Sequence, residues 1–153
     1  MSAKLSGYED FDEKRIKHLE MIQGVIARLG NNSFVVKGWA ITVAGAFFAF
    51  AVSRDDSSVA FAGLVPVGAF FWVDVYFLQA ERLFRVLFDQ VRVGDPSVAP
   101  FFMGATSPDF RERMNALGKD VSWQDTSWRP TLLGYYVALA LAGALIGVLL
   151  SAN

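Results

Sequence analysis

Residues 131–150 read TLLGYYVALALAGALIGVLL, twenty residues without a charge, and the whole stretch from Pro130 to Asn153 is uncharged. At about 1.5 Å of rise per residue, such a run makes a helix of roughly 30 Å, the thickness of a bilayer's hydrocarbon core. A helix that is apolar on every side has no face to offer water, so in a small chain it belongs in lipid. Two earlier blocks repeat the pattern. Residues 33–53 are interrupted only by Lys37, and residues 59–78 only by Asp74. Between them lies SRDDSS (53–58), too polar for the bilayer and short enough for a helical hairpin.

Composition agrees. The 153 residues are 54% hydrophobic and 19% charged, against roughly 45–50% and about 25% in ordinary soluble domains. The length fits one domain. A net charge of −1 argues against a nucleic-acid binder acting through bulk charge. With no cysteine and a single histidine, His18, the chain offers no disulfide, thiolate zinc site or histidine cluster. No phosphate loop, nucleophile elbow or carboxylate cluster at metal spacing is present. The expectation is a non-enzyme without cofactor or metal.

Residues 1–32 carry ten charges and do not read as a cleavable signal peptide. Five Lys or Arg lie in 1–32 and seven in 79–130, one (Arg54) in the hairpin and none after the third block. The positive-inside rule then puts residues 1–32 and 79–130 in the cytoplasm and the C-terminus outside. The expected fold class is an all-α integral membrane protein with three transmembrane helices, in the bacterial inner membrane. Its parts are a cytoplasmic amphipathic helix in 1–32, a first span at 33–53 and an external loop at 54–58. A second span at 59–78 continues as a helix to 93, and a cytoplasmic segment at 94–130 leads to a third span at 131–151.

Local signals fill in those parts. Leu19, Ile22, Ile26 and Leu29 make an apolar stripe at helical spacing, which needs a partner within the chain or in another subunit. Gly30, Asn31, Asn32 and Ser33 read as a break before the first span. The apolar pattern after Leu78 runs on to Gly94, so a helix over 59–92 would be about 50 Å long and would couple cytoplasm to membrane. Within it, Arg85 stands four residues from both Glu81 and Asp89 and can pair with either. Ser107, Pro108 and Asp109 open a short helix over 107–117, with Phe110, Met114 and Leu117 on its apolar side and Gly118 as its stop. APFFM (99–103) fits a strand or a loop. Trp39 and Trp72, and Trp123, Trp128, Tyr135 and Tyr136 near the start of the third span, suit membrane interfaces.

The charges in the apolar blocks carry the most information. Lys37 lies 16 residues before Ser53, and Asp74 lies 15 after Val59, so an antiparallel hairpin sets them at one depth. Ionisable groups there must pair, face water or snorkel. Lys37 and Asp74 are therefore either a snorkelling lysine with a paired acid or part of a gate on a water-filled axis. Asp55 and Asp56 would line an anionic outer vestibule in a ring of subunits, or are solvated turn residues. Gly143 and Gly147 give small-residue spacing for close helix packing, and Pro66 marks a hinge. On the cytoplasmic side Arg82, Arg85, Arg92, Arg111, Arg113 and Lys119 are interleaved with Phe101, Phe102, Trp123 and Trp128. Such a mixture suits phosphate contacts and base stacking by a nucleotide or single strand; the alternative is that the positives only obey the positive-inside rule.

NSFVVKGW (32–39) and WVDVYFLQAERLFR (72–85), within the longer runs 17–50 and 70–92, resemble the small membrane channel effectors of Hailong anti-phage defence, which accompany nucleotidyltransferases. The resemblance covers about a third of the chain. It implies a homo-oligomeric channel, here expected as a tetramer with an octamer as the alternative. It also implies a partner nucleotidyltransferase whose single-stranded oligodeoxyadenylate holds the channel shut until infection removes it. Depolarisation and growth arrest would follow, as abortive infection. The competing reading is a non-conducting membrane scaffold that recruits a cytoplasmic protein.

Overall fold

All three apolar blocks are helical. The computed structural model describes residues 2–118 and 122–152, with side chains from residue 13 onward. It is 83% helix, with no strand among the described residues. Among the described residues six helices follow in order: α1 (Ser2–Arg54), α2 (Ser57–Ala62), α3 (Leu64–Val93), α4 (Pro108–Ala116), α5 (Trp123–Ser127) and α6 (Pro130–Ser151). Three stretches, Glu13–Arg54, Ser57–Val93 and Pro130–Ser151, are long and apolar enough to cross a membrane. The chain is that of a multi-pass membrane protein.

Two expected boundaries move. The break at Gly30–Ser33 is absent, and α1 continues through it. Turn-forming residues set only a local preference, and side-chain contacts override it here. Ser33 is buried and bonded to another helix, while Glu81 runs past Gly30, where an added Cβ would lie 3.7 Å from its Oε2. The second correction concerns the long helix expected from Val59, which is interrupted at Gly63. Pro66 has no N–H to give the Ala62 carbonyl four residues earlier, so the helix restarts at Leu64.

The chain divides into two compact units, Met1–Gly30 with Gln79–Val121, and Asn31–Leu78 with Ser122–Asn153. In the first, Ile22 of α1 is wholly buried against Leu83, Phe84, Leu87 and Val91 of α3. Leu19, Ile26 and Leu29 pack on the same core, so the α1 stripe finds its partner within its own chain. Phe110 and Met114 of α4 close that core. The Ser107 hydroxyl caps α4 by accepting from Phe110 N, 3.3 Å away, with Pro108 opening the helix. Leu117 does not join, being 61% exposed. APFFM is a turn and not a strand: Phe102 N–H reaches the Ala99 carbonyl at 3.1 Å, and Phe101 takes φ 60°.

In the second unit, Ala40, Ala44 and Phe48 recur every four residues on α1 and meet Val67 and Val75 of α3 with Leu132 and Tyr136 of α6. On α6 the buried positions are Leu132, Tyr136, Gly143 and Gly147, whereas Val137, Leu141, Leu145, Val148 and Leu149 are exposed. Over the second half of α6, glycines inward and large aliphatics outward is the pattern of a helix packed on protein on one side and lipid on the other. At the hairpin, α1 ends with Asp55 in the left-handed region (φ 54°) and Asp56 N–H returning to the Ala51 carbonyl, 3.1 Å away.

Candidate functional site

The second unit holds both intramembrane charges, on helices that bring them together. Lys37 on α1 places Nζ 2.6 Å from Oδ2 of Asp74 on α3. One turn before Lys37, the Ser33 hydroxyl accepts from Lys37 Nζ (2.8 Å) and donates to Asp74 Oδ1 (2.5 Å). From α6, the Tyr136 hydroxyl lies 3.2 Å from Asp74 Oδ2 and 3.3 Å from the Phe70 carbonyl, two acceptors for its single proton. Tyr135 donates to the Lys37 carbonyl at 2.6 Å. The cluster ties α1, α3 and α6 together through one carboxylate.

Its burial is unequal. Asp74 has no exposed surface, while the Lys37 side chain keeps 27%. A carboxylate removed from water costs several kcal/mol unless a counter-ion and hydrogen bonds replace the lost solvation, roughly as Lys37, Ser33 and Tyr136 do here. Among the described residues, no buried side-chain nitrogen or oxygen lacks a partner. Because Asp74 is enclosed by its own chain, the carboxylate does not face an open axis in this conformation. Exposing it requires α1, α3 or α6 to part.

No family model matches the chain, and neither a curated protein nor a solved structure does.

Sequence reasoning reached Lys37 and Asp74 but missed Ser33 and Tyr136. Ser33 stands one helical turn before Lys37, but its neighbours Gly30, Asn31 and Asn32 carry the signals of a break. Tyr136 stands where aromatic residues mark a membrane interface.

Other expected site residues have local roles. Asp55 and Asp56 are exposed, and Asp56 caps α2 by accepting from Ser58 N at 2.9 Å. Gly143 and Gly147 serve contacts inside the chain: a Cβ at Gly143 would lie 2.5 Å from Phe48 Cζ, and one at Gly147 2.8 Å from Phe61 Cζ. Pro66 sits in the first turn of α3, beside the Gly63 interruption.

In the first unit Arg85 pairs with Glu81 (2.6 Å) and Arg92 with Asp89 (3.4 Å), so Asp89 takes Arg92 and not Arg85. Arg85 also lines a shallow depression of about 370 Å³ with Gln23, Ile26 and Phe88. Arg113 donates to the Ser97 carbonyl (3.1 Å), and its guanidinium lies over the Phe110 ring. Arg82 and Arg111 are partly exposed, Phe101 is exposed, and Phe102 packs on the core. Lys119 lies outside the described residues. In the second unit Trp123 stacks on Trp72 with ring centroids 5.2 Å apart, and Trp128 is 76% exposed.

Proposed function

We propose that the chain forms an oligomeric channel in the bacterial inner membrane and acts as a toxic effector of anti-phage defence. A nucleotide or single-stranded oligonucleotide gates it from the cytoplasm, and opening depolarises the membrane and arrests growth. The observation that carries this reading is the Lys37–Asp74 pair, with its carboxylate enclosed, between helices long enough to span a bilayer. Ionisable residues in such helices are costly to keep and are found mainly where ions, protons or water must pass. A pair that closes one arrangement and breaks in another is a natural latch, because its polar groups are satisfied inside the protein when closed and by water when open.

The two segments that resemble the Hailong effectors carry three residues of the cluster: 32–39 includes Ser33 and Lys37, and 72–85 includes Asp74. The charge asymmetry supports residues 1–32 and 79–130 in the cytoplasm, the C-terminus outside. Under this reading the protein is a homo-oligomer, a tetramer or an octamer, and not an enzyme. Its partner nucleotidyltransferase supplies the oligodeoxyadenylate. Complete satisfaction of the cluster within one chain favours the second reading, a static scaffold that recruits a cytoplasmic partner.

Expression without any partner separates the two. A voltage-sensitive dye should report depolarisation together with growth arrest, and Lys37→Ala or Asp74→Ala should change both. Wild-type protein that reaches the membrane without depolarising it would leave the scaffold. Two folded variants that depolarise as the wild type does would remove the latch.

A further inference from the structure

The charges around the Lys37–Asp74 cluster can be accounted for one by one. From Asn31 to Leu78 the remaining Asp, Glu, Lys and Arg residues are Arg54, Asp55 and Asp56 of the outer turn, and α6 has none. Asp125 and Arg129, just before α6, are exposed. Between the helices the cluster therefore holds one positive and one negative charge, and each is the other's partner.

The two charges are held differently. Asp74 has no exposed surface, its Oδ1 accepts from the Ser33 hydroxyl, and the Tyr136 hydroxyl lies 3.2 Å from its Oδ2. These contacts keep the carboxylate in place whatever Lys37 does. The Lys37 ammonium ends a flexible four-carbon stem, and its side chain keeps 27% exposure. Were it to swing away, the carboxylate would be left as a lone buried charge, a costly arrangement unless another cation replaced it.

The place that the ammonium fills is built from oxygens. Nζ lies 2.6 Å from Asp74 Oδ2 and 2.8 Å from Ser33 Oγ. Ser33 gives its one proton to Asp74 Oδ1, so toward the cation it acts only as an acceptor. Oxygen ligands are what small hard cations take, and a lysine ammonium is a compact point charge of the same sign. One carboxylate balances one positive charge, which matches a monovalent ion and not a divalent one. We propose that Lys37 is the tethered occupant of a monovalent-cation site formed by Asp74 and Ser33, and that a sodium or potassium ion takes the site when the ammonium leaves. The inference rests on the channel reading for its consequence: the latch opens by exchanging one cation for another, and the ion that passes is a cation.

The test is thermal unfolding of full-length Lys37→Met in detergent and mildly alkaline buffer, in potassium, sodium or N-methylglucamine chloride at equal ionic strength. Methionine keeps most of the stem and removes the ammonium. Potassium or sodium should raise the melting temperature above that in N-methylglucamine by about 3 °C, the shift expected once the ion reaches several times its dissociation constant. Wild type, whose ammonium fills the site, and Lys37→Met/Asp74→Asn, which lacks the carboxylate, should melt alike in the three salts. Lys37→Gln, which keeps a donor for Asp74, carries the test if Lys37→Met does not fold. A folded single variant that melts alike in all three salts overturns the proposal, as does an equal preference in wild type or in the double variant. Failure of both single variants to fold in every salt also overturns it, because an ion that replaces the ammonium should restore the cluster. Ion flux through wild-type proteoliposomes separates the site from the channel. Tight vesicles beside a salt preference in Lys37→Met remove only the channel, whereas potassium flux without that preference removes only the site. Flux that favours chloride overturns the exchange.

Discussion

Lys37→Met is expected to destabilise the protein by about 3–5 kcal/mol, the usual effect of stripping a buried charge of its partner. Asp74 has no exposed surface and cannot regain water without displacing α1 or α6. Asp74→Ala should cost less, because the Lys37 side chain is already 27% exposed and its long stem can carry the ammonium toward the headgroups. The double variant Lys37→Met/Asp74→Asn should recover most of the loss, since an amide keeps partners in Ser33 and Tyr136 without a charge to neutralise. Denaturant titration in detergent gives the order. A Lys37→Met variant as stable as wild type would mean that the pair is solvated in the native state and does not hold the helices together.

Gly143→Leu is expected to cost about 3 kcal/mol, the upper part of the range for overpacking a filled core. A Cβ alone would lie 2.5 Å from Phe48 Cζ and 2.8 Å from Leu64 Cδ2, and Phe48 is buried at 8% exposure. Combining it with Phe48→Ala should restore part of the stability by returning the volume. Gly134→Ala on the same helix should be tolerated or slightly stabilising, because nothing lies within 4 Å of its added Cβ and alanine is the better helix former. Thermal stability of the purified variants reads all three. Equal effects at positions 143 and 134 would show that α6 does not pack on Phe48.

The three spans were legible because a bilayer sets a length and forbids charge, and α6 meets both conditions without exception. The matched depth of Lys37 and Asp74 was legible too, from two residue counts around a short hairpin. Their third and fourth partners were hidden. Ser33 carries the signals of a helix stop, but its hydroxyl between Lys37 and Asp74 outweighs that local preference. Tyr136 sits where aromatic residues mark an interface, and only the register of α6 against α3 turns it toward Asp74. APFFM lacks both helical and strand periodicity, so its turn depends on contacts such as the His18 bond to the Phe102 carbonyl.

The most direct test of the channel reading is ion flux through proteoliposomes that hold the purified protein, with and without short single-stranded oligonucleotides. The expected result is conductance that oligodeoxyadenylate changes and that differs in the Lys37→Met/Asp74→Asn variant. Tight vesicles under every condition, from protein shown to be folded and inserted, would contradict it and leave a membrane scaffold.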